Sequence, residues 1–118
     1  MSDASISNNT TDLPVRRPID RAPTHPGALF REILDEQLGL SVSEAARRMN
    51  VSRQSLHAVL RGESAVTAEM ALRFGRLVGG SPELYVQMQA KRDLWETERK
   101  LQSMLDAVIP VAVDPKST

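Results

Sequence analysis

Leu40–Gly62 reads LSVSEAARRMNVSRQSLHAVLRG, and this stretch decides the fold. Ser41 followed by Glu44 is a capping box: the hydroxyl accepts the N–H of the third helical residue while the glutamate reaches back to the Ser41 N–H. A helix that starts here turns Ala45, Ala46 and Met49 inward, and the two small side chains let another helix approach closely. Asn50 tolerates the left-handed conformation that a tight turn requires. Val51 then plugs the core, Ser52 caps a further helix, and Leu56, Val59 and Leu60 form its buried stripe. Gly62 stops it. Two capped helices joined by a turn of about three or four residues are the helix-turn-helix pattern.

On the N-terminal side, His25-Pro26-Gly27 opens a first helix, with proline at the position whose N–H would be unpaired anyway. Leu29, Phe30, Ile33, Leu34, Gln37 and Leu38 recur at helical spacing and define its buried face, and Gly39 is its left-handed cap. On the C-terminal side a short loop leads to Thr67, the cap of a fourth helix whose apolar face is Met70, Ala71, Phe74, Leu77 and Val78. Gly79-Gly80 closes it. Ser81 caps a fifth helix with Pro82 at its first position and Leu84, Tyr85, Met88, Leu94 and Trp95 as packing positions. The pattern carries this helix on through Leu101, Met104, Leu105 and Val108 to Pro110. Leu94, Leu101 and Val108 share a seven-residue period, the spacing of a helix–helix seam. The final VAVDPKST reads either as a short strand or as a loose end.

The fold expected is therefore all-α, with five helices, and no strand is expected before residue 109. A domain at 25–96 is flanked by a polar tail at 1–24, read as disordered, and by a C-terminal extension at 97–118. Within the tail, Ile6, Leu13, Val15 and Ile19 are sparse apolar anchors for a partner, while Arg16, Arg17 and Arg21 suit an arm in a DNA minor groove.

Composition narrows the functional classes. The chain has 118 residues and no cysteine, which suits one domain in a reducing compartment and excludes thiolate chemistry. No apolar run approaches membrane-spanning length, and the residues after Met1 lack a basic start and an apolar core, so a cytoplasmic protein is expected. The net charge is zero, yet residues 41–80 hold six arginines against three glutamates, while 28–40 and 81–118 are slightly acidic. Such a local field can steer DNA, and it also fits an ordinary solvated face. Catalysis finds no support: His25 and His57 fall on different elements, no Ser/His/acid set stands out, and no glycine loop precedes a helix. No metal or cofactor is expected.

The helix-turn-helix reading gives a use to the polar face of the third helix, whose N-terminal turns enter the DNA major groove. Arginine can fork onto guanine and glutamine can pair with adenine, so Arg53 and Gln54 are the base-reading candidates, against the alternative of plain solvated surface. His57 could meet base or phosphate or simply lie exposed. Ser55 reads DNA or completes a local cap. Arg61 meets phosphate or the helix dipole. Ser41, Ser43 and Ser52 stand at helix N-termini, where free N–H groups suit phosphate. Arg47 and Arg48 read as a solvated face.

Residues 25–96 resemble the Cro/repressor-type helix-turn-helix family and, more narrowly, the HigA (VapI) antitoxins. The likeness rests on HPGALFRE, RQSLHAVLRG, VTAEMALRFGRLVGGSPELYVQMQ and the following DLW. Two positions depart from the broader repressor pattern: Val42 stands where glutamine is frequent, and Asn50 where a turn glycine is usual. The resemblance implies a homodimer that binds a palindromic operator in its own promoter on double-stranded DNA, represses it, and silences a small RNA-cleaving toxin of the HigB type. It implies a cytoplasmic location, on the nucleoid when DNA is bound. A stand-alone repressor without a toxin, or a protein–protein adaptor that kept the fold and lost DNA binding, are the alternatives.

Overall fold

The computed structural model of the chain describes residues 21–112. The anchors and basic residues of the tail up to residue 20, and the chain end from 113, lie outside the described residues. Among the described residues the architecture is all-helical and without strands: α1 Pro26–Glu32, α2 Val42–Met49, α3 Arg53–Leu60, α4 Ala68–Val78, α5 Pro82–Lys100 and a short α6 Gln102–Asp106. None of these helices is long and apolar enough to cross a membrane.

The expected caps form. The side chains of Ser41, Ser52, Thr67 and Ser81 accept the N–H of Glu44, Ser55, Met70 and Leu84 respectively. Gly39, Gly62 and Gly79 adopt positive φ, and Asn50 does so at φ 60°. Each stop signal therefore acts through the left-handed region that ends a helix.

Three expectations need correction. The turn after α1, Ile33–Leu38, widens to i→i+5 hydrogen bonding, and the N–H groups of Gly39 and Leu40 both close onto the Leu34 carbonyl. The widened turn rotates the later positions outward, so Gln37 and Leu38 are exposed rather than buried. The fifth helix does not run unbroken to Pro110: Leu101 (φ −105°, ψ 18°) interrupts it and starts α6, giving six helices instead of five. No proline or glycine marks that break. It falls where the helix has left the core, so no packing holds the axis straight. The seven-residue period is thereby interrupted, and Leu84 and Leu94, two expected packing positions, are exposed.

The core is built on three aromatic rings. Phe30 of α1 and Phe74 of α4 stack with centroids 3.7 Å apart, and Tyr85 of α5 meets both edge-on at 4.9 and 5.6 Å. Ala45, Ala46 and Met49 of α2 and Leu56, Val59 and Leu60 of α3 pack against this cluster. Gln89 is the one polar side chain buried with it among the described residues, and it is satisfied: its Oε1 accepts the Val66 N–H at 2.8 Å and its Nε2 donates to Asp93 at 2.9 Å. That pairing ties the loop after α3 to α5.

α1 crosses α3 so closely that a Cβ on Gly27 would lie 1.9 Å from the Val59 carbonyl oxygen, far inside van der Waals contact. Gly27→Ala is expected to force the two helices apart and to destabilise the fold by about 2–3 kcal/mol, lowering Tm by roughly 10 °C. Thermal unfolding followed by circular dichroism checks this; an unchanged Tm would mean that the crossing is looser than described.

Candidate nucleic-acid interface

α2 and α3 meet through alanines, and the turn between them is fixed from three sides. Val51 N–H donates to the Ala46 carbonyl at 3.0 Å, and Asn50 N–H donates to Arg47 at 3.2 Å. From α4, Arg73 reaches back to the end of α2: Nη1 donates to the Met49 carbonyl at 2.8 Å, while Nε and Nη2 grip Glu69 at 3.0 and 2.8 Å. A guanidinium thus satisfies a C-terminal carbonyl of α2 that the helix leaves unpaired. In the sequence Arg73 counts only as one cation of the basic middle, because nothing local marks a partner 24 residues away.

The fixed turn aims α3 outward. Leu56, Val59 and Leu60 are buried, and Arg53, Gln54, Ser55 and Arg61 are exposed on the other side, with His57 half-buried. Arg53, Gln54, His57 and Arg61 line one shallow groove of about 300 Å³. The spacing i, i+1, i+4 and i+8 places them along one face of the helix. Arg61 lies 3.4 Å from His57 Nδ1 and pairs with Glu63 at 3.2 Å. The groove presents a fork-shaped cation, an amide and an imidazole in a row, which is a set of hydrogen-bonding groups suited to base edges.

Ser55 is held apart from this row. Its N–H donates to Ser52 Oγ at 3.0 Å, and the Ser52 hydroxyl donates to Ser55 Oγ at 2.8 Å, so both serines serve the cap of α3. Ser41 and Ser43 are exposed at the start of α2, and the Ser41 hydroxyl accepts the Glu44 N–H at 3.1 Å. The return half of the expected capping box is not made. Glu44 turns instead along its helix to Arg47 and Arg48, with Arg48 Nε at 2.7 Å. These hydrogen bonds hold its carboxyl at about 2, well below the usual carboxylate range. Two guanidiniums one turn away outcompete a single backbone N–H. Arg47 and Arg48 accordingly sit on a solvated, paired face of α2.

Beyond the expected set, His25 caps α1, its Nδ1 accepting the Gly27 N–H at 2.8 Å. Serine, threonine and asparagine are the usual caps, which is why the sequence alone assigns His25 no role. Trp95 is half-buried on α5, with the Arg99 guanidinium 4.6 Å above its ring.

This geometry can be set beside known proteins. Residues 27–85 match the family model described as a helix-turn-helix domain. Virulence-associated protein I of Dichelobacter nodosus is 32% identical over 93 residues, covering 79% of this chain and 85% of that protein. Antitoxin HigA-1 of Vibrio cholerae serotype O1 is 27% identical over 97 residues, 82% of this chain and 91% of that one. Among solved structures, antitoxin GraA in complex with its operator superposes with a TM-score of 0.72 at 26% identity, covering 83% of this chain and all of GraA. The chain belongs to the helix-turn-helix domain family, in the HigA/VapI-type branch of antitoxins and transcriptional regulators, which are not enzymes.

Proposed function

We propose that this protein is an operator-binding antitoxin that represses its own toxin–antitoxin operon. The observation that carries the reading is the row Arg53, Gln54, His57 and Arg61 on the outer face of a helix whose inner face is core. In this reading Arg53 and Gln54 read base edges, His57 meets base or phosphate, and Arg61 meets phosphate. Ser41, Ser43 and Ser52 stand at the helix starts where phosphate oxygens approach, and Ser55 acts there through the cap it completes. The solved complex of the related antitoxin GraA with its operator supports DNA as the partner.

Selection of duplexes from a random DNA pool tests this directly. A two-fold symmetric site with half-sites about one helical turn apart is expected. Arg53→Ala and Gln54→Ala should each weaken it by roughly 1–3 kcal/mol while the fold stays intact. No enriched duplex would favour an adaptor that kept only the shape.

A palindrome requires two copies. The protein forms a homodimer in this reading, and the far end of α5 with α6 offers the apolar surface: Leu94, Met104, Leu105 and Val108 are 58, 67, 44 and 65% exposed. Sedimentation is expected to show a dimer for the native chain and a monomer for the Leu94→Glu/Leu105→Glu pair, with operator affinity lost in step. A dimer that survives the two charges would place the contact elsewhere.

The second partner is a small RNA-cleaving toxin of the HigB type, supported by the relative named HigA-1. Expression of the small reading frame beside the gene should arrest growth, and co-expression of this chain should restore it with a complex that copurifies. Absence of such a reading frame or of the complex would leave a stand-alone repressor. The protein acts in the cytoplasm, at the nucleoid when on DNA.

A further inference from the structure

His25 lies at the junction of three elements that share no sequence proximity. Its Nδ1 accepts the Gly27 N–H, starting α1. Its ring packs over Gly62, where an added Cβ would come within 3.8 Å of it, and the Ser64 backbone beside it favours the charged form of the ring. Gly62 and Ser64 belong to the segment that leaves α3, and this segment also closes the helix: Gly62 N–H donates to Val59 at 2.9 Å and Glu63 N–H to Ala58 at 2.9 Å. The stretch before His25 is pinned to α5, where Arg92 donates to the Pro23 carbonyl at 2.9 Å.

We infer that His25 is a positioning residue for the recognition helix: with Nδ1 unprotonated it clasps the start of α1 to the exit of α3, and protonation opens the clasp. An imidazole that accepts at Nδ1 must carry its one proton on Nε2. In this tautomer Nδ1 holds the start of α1 while the ring packs on Gly62 at the exit of α3. A proton added to Nδ1 turns the acceptor into a donor facing the Gly27 N–H, and that bond cannot persist.

The charged groups acting on the ring come from α5. Arg92 opposes protonation, and Asp93 and Glu96 favour it. Burial and Arg92 prevail, so the imidazole titrates below its ordinary 6.5. A lowered value in the fold means that the folded chain binds fewer protons than the unfolded one. The clasp is therefore fully made above 6.5 and is lost as pH falls through the lower folded value.

The effect on DNA rests on the operator-binding reading, whereas the clasp itself does not. The test uses the full chain with His57→Gln, which removes the other imidazole from the DNA face, beside the unsubstituted chain. Two readouts are followed between about pH 8 and about pH 5. One is affinity for the selected duplex. The other is the NMR titration of His25 together with the amide signals of Gly27 and Gly62–Ser64. On acidification the duplex is expected to dissociate roughly three- to tenfold more readily, and the amides of both segments should shift with the His25 midpoint. A second substitution, His25→Asn, keeps a capping oxygen that cannot titrate; it should bind as its parent does near pH 8 and show a flatter profile. Coincident profiles with and without His25 would overturn the inference, as would a His25 titration that leaves either segment's amides unmoved. If the unsubstituted chain binds no duplex at any pH, the operator reading fails and the NMR arm still decides the clasp.

Discussion

Everything in this domain hangs on the contact of Phe30, Phe74 and Tyr85. The chain has four aromatic residues, and three of them meet here, one from each of α1, α4 and α5. Phe30 and Phe74 are wholly excluded from solvent and Tyr85 nearly so. Each such ring contributes on the order of 2–3 kcal/mol by burial, with a further fraction from the ring–ring geometry. In a domain this small no other cluster can replace that sum. The approach is close enough to constrain the backbone as well: a Cβ on Gly80 would collide with the Tyr85 hydroxyl. The Gly79-Gly80 pair therefore has two separate reasons, a left-handed cap at the first and bare space for a tyrosine at the second.

Three helices locked in this way form a base for α2 and α3. α2 and α3 are eight residues each, too short to be stable alone, and most of their stability has to come from what they pack on. Ala45 and Leu56 are fully buried against that base. Arg73 and Gln89 then fasten the turn and the exit loop with hydrogen bonds sent from α4 and α5. The two helices are thus positioned entirely from their inner side. The outer side of α3 is left exposed at Arg53 and Gln54, and in the operator-binding reading that freedom lets these two side chains serve DNA.

Most of this was legible in the sequence because the signals are local. Ser41, Ser52, Thr67 and Ser81 cap what they appear to cap, and the apolar stripes of α2, α3 and α4 face inward. The polar row on α3 follows from the same periodicity. What was not legible depends on distance or on competition. Arg73 and Gln89 act across more than twenty residues, and no spacing rule reaches that far. Glu44 had two local choices, and only the positions of Arg47 and Arg48 decide between them. Leu38 repeats at the correct interval for a regular helix, but the widened last turn moves it off the buried face. The break at Leu101 has no local signal at all, since it reflects the loss of packing and not a residue type.

The charge distribution gains meaning from the same contacts. Residues 41–80 hold six arginines, yet four of them are already committed: Arg47 and Arg48 to Glu44, Arg61 to Glu63, Arg73 to Glu69. Among the described residues Arg53 makes no ion pair, and it stands at the first turn of α3 beside Gln54. A neutral protein that pairs four of the six cations of this segment internally has few charges left there to release counterions from DNA. On the operator-binding reading, its affinity must then come less from a general field and more from the directed hydrogen bonds of the α3 row, made twice by two copies. Such bonds tolerate little misalignment, and in this reading the orientation of α3 matters more than the net charge. Gly27, His25 and Arg73 all act at the ends of this eight-residue helix or at the turn before it, and in that reading these contacts serve its alignment on DNA.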